Sequence, residues 1–353
     1  MPHSHIANRP LFIRYPELAA QLPIVNVADL PTPVENLHRI SGHAWIKRDD
    51  ISHPEYGGNK VRKLEFLLPE IFAAKATKVV TIGAVGTNSG VAAAMICRKF
   101  GLACEIITFD QPASSTVAHN LKLMNYYDAD LVYRNSPLRS ALQFYIHPGR
   151  LQPKTHFLFA GCTSPTSVFG YVNAIFELKE QIDLGLCPLP RTIVVATGSG
   201  ATTAGLMLGC ALAQLPIHIK AIQVAPAFVG PVPVCHPAYI ARLISAATAI
   251  LSRSYPQYKS LRLPEPKLDS QYYGGTYGGK TEAGVRAVEF AAKKAGLALE
   301  QTYTGKAFAA FLDELDASPE PCMFWHTYNS QDTAALIARS ETTALASPFQ
   351  HYL

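Results

Sequence analysis

The residue in this sequence best suited to covalent chemistry is Lys60, which follows Gly57-Gly58-Asn59. It stands where a loop enters a helical pattern, Lys60–Ala74, shortly after the strand-like Ala44-Trp45-Ile46-Lys47 and the pair Asp49-Asp50. At such a junction the ammonium is displaced toward a loop-lined cleft, where desolvation and positive backbone dipoles lower its pKa toward a nucleophilic amine. An ordinary exposed lysine at a helix start has the same local sequence, so this segment alone leaves both readings open. A second candidate is Ala196-Thr197-Gly198-Ser199-Gly200-Ala201-Thr202-Thr203, directly after the apolar run Thr192–Val195. A small-residue loop opening a helix lets successive N–H groups approach a phosphate, which a Cβ would hold away. The spacing after Gly200 lacks the dinucleotide pattern Gly-x-Gly-x-x-Gly, and a tight turn without ligand is the alternative. A third segment, Gly274-Gly275-Thr276-Tyr277-Gly278-Gly279-Lys280-Thr281, matches the Walker A pattern literally. That pattern requires a buried strand before it, and Pro264-Glu265-Pro266-Lys267-Leu268-Asp269 offers no credible core strand.

These loops need a scaffold, and the chain supplies an alternating one. Short β-branched or aromatic runs near Lys78–Ile82, Glu105–Phe109, Leu131–Tyr133, His156–Phe159, Thr192–Ala196, His218–Val224 and Met323–Trp325 read as strands. Helical periodicity covers Lys60–Ala74, Ser89–Phe100, Thr202–Leu212 and Thr281–Ala295, and a short helix is expected after Tyr303-Thr304-Gly305-Lys306-Ala307. The alternation predicts an α/β fold with mostly parallel sheets, whose ligands bind where strand ends meet helix starts. The proline-rich stretch Ala225–Leu268, with one helix around Ala238–Ser252, reads as a surface excursion or a subunit contact.

With 353 residues, 48% of them hydrophobic and 16% charged, the chain is globular and long enough for about two domains. Its net charge of +5 comes from scattered Lys and Arg with no basic run, which argues against a nucleic-acid partner. Met1-Pro2-His3-Ser4-His5-Ile6 lacks the pattern of a secretory signal, and the most apolar helical candidate, Ala238–Leu251, is shorter than the roughly 20 residues that span a bilayer. A cytoplasmic protein without membrane association is therefore expected. Seven widely spaced cysteines without a Cys-x-x-Cys pair predict free buried thiols and no metal centre.

Taken in order, Ile46-Lys47-Arg48-Asp49-Asp50, Gly57-Gly58-Asn59-Lys60-Val61-Arg62-Lys63-Leu64-Glu65 and Tyr303-Thr304-Gly305-Lys306 resemble the 1-aminocyclopropane-1-carboxylate deaminase / D-cysteine desulfhydrase family. The resemblance covers roughly residues 25 to 335. It implies a tryptophan-synthase β-like α/β fold (fold type II), with a large domain of residues 1–62 plus 191–353 and a smaller inserted domain of 63–190. It also implies pyridoxal 5'-phosphate as cofactor, a small amino acid as substrate and a homodimer. Lys60 would be the Schiff-base lysine with Asn59 beside it. Gly198, Ser199, Gly200, Ala201 and Thr202 would carry the phosphate, and Tyr277 and Tyr303 would be active-site tyrosines. Thr87, Asn88, Ser89 and Gly90 would receive the substrate, with Thr87 in a catalytic position and Asn88 also near the cofactor. Thr304 falls at the position facing the pyridine nitrogen, where a hydroxyl leaves the ring largely neutral and favours β-elimination, whereas a carboxylate would hold it protonated. The reading is thus a D-cysteine desulfhydrase-like lyase giving pyruvate, ammonia and hydrogen sulfide. Ring opening of 1-aminocyclopropane-1-carboxylate and a cofactor-binding protein with altered or lost activity are the alternatives. Two departures stand out. Gly86-Thr87-Asn88-Ser89-Gly90 replaces the family's usual Gln-Ser-Asn-His, and His326-Thr327-Tyr328-Asn329 replaces its His-Thr-Gly-Gly, adding bulk near the pocket.

Overall fold

The computed structural model describes residues 9–340 and 345–353, so the N-terminal segment read for signal character lies outside the described residues. The strands are β1 (Val34–Asn36), β2 (Ala44–Lys47), β3 (Lys78–Ala84), β4 (Ala103–Phe109), β5 (Asp130–Tyr133), β6 (Thr155–Leu158), β7 (Thr192–Thr197), β8 (His218–Gln223), β9 (Phe228–Val229), β10 (Val232–Pro233), β11 (Leu268–Asp269) and β12 (Cys322–Trp325). They form a six-stranded sheet in the order β1-β2-β12-β7-β8-β11, a four-stranded sheet in the order β5-β4-β3-β6, and the small hairpin β9-β10. All pairs within the four-stranded sheet are parallel, and β1-β2 is the antiparallel edge of the larger one. The parallel strands read as near-continuous apolar runs because helices cover both faces, and every residue of β7 and β12 is buried.

All seven runs read as strands from the sequence form strands. The helix of Lys60 spans Asn59–Ala73 and leads from the larger sheet into the smaller one. Two expectations change. The helix after Tyr303 is not short: it runs from Thr304 to Ala317 and begins on the Glu300 carboxylate, which accepts the N–H groups of Thr302, Tyr303 and Thr304. The proline-rich stretch is not only a surface excursion. Its helix, Pro237–Ser254, places Ile240, Leu243, Ile244, Ala247 and Leu251 at helical spacing into the largest core cluster. The seven cysteines are free and buried. Among the described residues no helix is long and apolar enough to cross a membrane.

A buried ion network ties the Lys60 helix to both ends of the chain. Arg62, two residues after Lys60, donates to Asp49 from Nε and Nη2 at 2.7–3.0 Å and to both oxygens of Glu177 at 2.9 Å. Lys47 Nζ donates to Glu177 Oε1 at 2.6 Å. Asp49 also accepts from Tyr171 Oη and Trp325 Nε1, each at 2.7 Å. Asp49, Arg62, Lys47 and Glu177 are at most 2% exposed. The ends of β2 and β12, the helix Phe169–Asp183 and the Lys60 helix therefore meet at one charge-balanced cluster. Burial alone would push the Glu177 carboxyl up, but Arg62 and Lys47 outweigh it and bring it down to about 2. A depressed carboxyl contributes stability above its ordinary pKa near 4.5, and that contribution is lost as pH falls toward 2. Glu177→Gln should leave two buried cations under-compensated and cost about 3–5 kcal/mol at neutral pH. Urea unfolding measures it, and a loss below about 1 kcal/mol, the range of exposed ion pairs, would contradict the cluster's role.

Candidate active site

Lys60 is set in place by its own loop. The Gly58 N–H donates to the Asp49 carbonyl at 2.7 Å, and the Asn59 N–H donates to the Thr327 carbonyl at 3.1 Å. Gly58 has φ +97°, and a Cβ there would lie 2.8 Å from the Thr327 oxygen, so glycine is required on both counts. Asn329, one of the departures noted above, accepts the Gly57 N–H on its side chain at 2.7 Å and so braces this loop from β12's side. Lys60 Nζ donates to Asn59 Oδ1 at 2.6 Å, and Asn59 Nδ2 donates to Thr202 Oγ1 at 3.0 Å, linking the lysine to the second glycine loop. Burial lowers the Lys60 amine to about 8, outweighing the opposing pull of Cys162 and Glu300. Lys63, one turn on, is pushed well below the ordinary lysine range by burial and by Lys60, and its Nζ is tied to the Gly161 carbonyl at 3.3 Å.

The second loop follows the C-terminal end of β7 and opens the helix Ala201–Ala213. Gly200 caps it with φ +83° and has no side chain to satisfy the first turn. The N–H groups of Ala201, Thr202 and Thr203 find no acceptor among the described residues, which leaves a concentration of positive dipole for an anion. Beside it, with a Tyr303 ring carbon 3.5 Å from where a Cβ on Gly198 would lie, the Tyr277 and Tyr303 hydroxyls are hydrogen-bonded and their rings meet edge-on with centroids 6.0 Å apart. Burial pushes both phenols up, so they remain protonated at neutral pH.

One cavity of ≈ 560 Å³ gathers these groups at the C-terminal strand ends of both sheets. Lys60, Asn59, Thr87, Asn88, Ser89, Gly198, Ser199, Gly200, Thr202, Tyr277 and Tyr303 all line it. Three residues singled out in the sequence stand behind the wall instead. Ala201 and Thr304 are fully buried, and a Cβ on Gly90 would run into Thr87, Met124 and Ile106. The Thr304 hydroxyl accepts the Glu300 N–H at 2.9 Å and donates toward Glu300 Oε1 at 3.2 Å. Thr87 caps the helix Asn88–Lys99: its Oγ1 accepts the Gly90 N–H at 3.3 Å and bonds Ser89 Oγ at 2.9 Å.

Other residues to which the sequence assigned no catalytic or binding role also line the cavity. Lys63, Gln111 and Asp110 face the cavity, as does Tyr328, whose bulk was expected near the pocket. Glu300 is 3% exposed behind Tyr303, and its effect reaches Lys60, Tyr277 and Tyr328. An acidic residue four positions before Thr304, at a helix start, is the signal that could have found it. His326 is fully buried, bonding the Ala298 carbonyl at 3.2 Å, and does not line the cavity. The Walker-like segment is a loop whose Gly275, Thr276 and Tyr277 line the cavity. It follows only the two-residue edge strand β11, and Lys280 is exposed.

The sequence pattern of the family described as "Pyridoxal-phosphate dependent enzyme" matches residues 25–327. D-cysteine desulfhydrase of Salmonella schwarzengrund (strain CVM19633) is 28% identical over 325 residues, covering 87% of this chain and 94% of that protein. The relative of the same name from Salmonella choleraesuis (strain SC-B67) matches to the same extent. A crystal structure of an ACC deaminase homologue superposes with a TM-score of 0.75 at 26% identity, covering 91% of this chain and 98% of that one. Threonine deaminase isoform 2 from Solanum lycopersicum shares the fold at 12% identity and a TM-score of 0.61. A glycine-set lysine with a lowered pKa, facing an anion cradle in a cavity between two parallel sheets, thus coincides with a family match over most of the chain: the chain belongs to the pyridoxal-phosphate dependent enzymes, of fold type II.

Proposed function

We propose that this enzyme is a lyase that eliminates the β-substituent of a small amino acid, with D-cysteine as the favoured substrate and pyruvate, ammonia and hydrogen sulfide as products. The observation that carries the reading is the Lys60 amine, lowered to about 8 by burial and lining the same cavity as the paired tyrosines. An amine with that pKa is poised both as a nucleophile and as a base near neutrality.

The residues present fit the cofactor. The unpaired N–H groups at the start of the helix Ala201–Ala213 suit its phosphate, Gly198 to Thr202 leave room for it, and Lys60 reaches the same cavity. When bound, pyridoxal phosphate supplies an electron sink that acidifies the substrate Cα. In this reading Lys60 holds the cofactor and then takes the Cα proton. The C–S bond breaks with its electron pair leaving on sulfur, and a tyrosine hydroxyl is placed to protonate that sulfur. The helix start at Thr87, Asn88 and Ser89 orients the substrate carboxylate, and Tyr303 lies against the cofactor ring. Thr304 stands behind the cavity wall with its hydroxyl turned to Glu300, so the elimination reading does not rest on it; the Glu300 carboxylate accepts three backbone N–H groups and that hydroxyl. It is thereby committed to the helix start. The same reading includes a cytoplasmic homodimer, and a division into a larger unit of 1–62 plus 191–353 and an inserted unit of 63–190. The origin of the six-stranded sheet in the first and of the four-stranded sheet in the second supports that division.

Borohydride reduction of the cofactor-loaded protein followed by peptide mapping should label Lys60. The lining amine of Lys63 makes this a discriminating test, and label on Lys63, Lys47 or Lys306 would overturn the assignment.

A panel of D-cysteine, L-cysteine, D-serine, β-chloro-D-alanine and 1-aminocyclopropane-1-carboxylate tests the reaction type. D-cysteine or β-chloro-D-alanine should release pyruvate faster than the cyclopropane substrate releases its keto acid. Equal or faster ring opening would contradict the elimination reading. Turnover of no member would favour a cofactor-binding protein without this activity.

A further inference from the structure

We propose that Gln111 is a substrate-positioning residue whose side-chain amide donates a hydrogen bond to the carboxylate of the amino-acid substrate; the inference rests on the amino-acid reading given under Proposed function. Gln111 follows the C-terminal end of β4 and lines the same cavity as Lys60, Thr87 and Tyr277. Its orientation is fixed from one side. The Gly86 N–H donates to Gln111 Oε1 at 3.2 Å, so the amide oxygen is occupied and the NH2 group points elsewhere. The room for that NH2 group depends on the glycine at 86. A Cβ on Gly86 would lie 3.2 Å from Nε2, and one on Gly278 would lie 3.8 Å from it. Any larger residue at 86 would compete for the space the amide fills. Nε2 has no hydrogen-bond partner among the described residues.

The backbone that carries Gln111 is held as well. The Asp110 carboxylate accepts the hydroxyls of Tyr133 at 2.6 Å and Tyr352 at 2.7 Å. The carbonyl side of Gly86 repeats the arrangement. Asn120 Nδ2 donates both to the Gly86 carbonyl at 2.8 Å and to Asn88 Oδ1 at 2.7 Å, so the Asn88 oxygen is likewise occupied. Two carboxamides, each held by its oxygen beside Gly86, leave their donors for an acceptor in the cavity. A carboxylate offers about four acceptor positions and no donor, which is the complement of such a pair.

The test uses the cofactor-loaded protein and reads the cofactor absorbance change on titration with D-alanine and L-alanine, which lack a leaving group, and with ethylamine, which is alanine without its carboxylate. Gln111→Leu should weaken binding of the responding alanine about ten- to hundredfold, the range for a charge-assisted hydrogen bond, and Gln111→Glu should weaken it further. Ethylamine binding should stay within about twofold in both, since it has no carboxylate to lose. If Gln111→Leu loses the cofactor band, Gln111→Met provides the same deletion in a shape closer to the original. Equal weakening of alanine and ethylamine, or unchanged alanine binding, would overturn the proposal. If neither alanine shifts the spectrum of the unsubstituted protein, the amino-acid reading itself fails, and this inference with it.

Discussion

The arrangement depends first on a cluster of buried charges. Arg62 lies on the first turn of the helix that carries Lys60, and its guanidinium is shared between Asp49 at the end of β2 and Glu177 on a neighbouring helix. Because the guanidinium is planar and its donors are fixed in a fork, it accepts only a narrow range of positions for both carboxylates. The position of Lys60 is thereby tied to three elements far apart in sequence. Burying four charges is costly, and the cost is tolerable only while every partner is present. The network is thus better understood as a registry device for the lysine helix than as a net source of stability.

The chemistry follows from what the cluster exposes and what it hides. Lys60 emerges from a loop whose N–H groups are spent on Asp49 and Thr327, so the loop itself cannot rearrange without breaking those bonds. The amine is lowered by desolvation, and Tyr277 and Tyr303 on the same cavity are kept protonated by desolvation as well. One low-dielectric cavity thereby lowers an amine and keeps two phenols protonated near neutral pH. The anion cradle at Gly200 has a different physical origin, since it consists of backbone dipoles and not of side-chain charge.

Much of this was legible in the sequence. Parallel strands buried on both faces leave unbroken apolar runs, β-branched in β3, β4 and β7 and aromatic in β12, so these could be read from composition and length. Gly58 and Gly200 could be found because only glycine tolerates their backbone and the approach of a neighbouring group. What remained hidden depends on long-range partners. Glu177 lies 115 residues from Arg62, and nothing in its own helix distinguishes it from a solvent-facing glutamate. The core role of Pro237–Ser254 was obscured by the prolines around it, although its apolar spacing was present. Thr304 was read as a pocket residue because the sequence gives its neighbour Tyr303 but not the side-chain direction, which the bond to Glu300 decides. Gln111 could not be singled out, because its place depends on the absence of a side chain at Gly86, 25 residues earlier.

If burial makes Lys60 a reactive amine near neutral pH, cofactor capture by the apo-protein must follow the titration of that amine. The neutral form is the nucleophile, and a folded-state pKa near 8 lies below the ordinary lysine value of 10.5. The capture rate should therefore rise with pH through about 8 and level off above it. A rate that keeps climbing toward 10.5 would show that Lys60 titrates as an ordinary exposed lysine and would contradict the account.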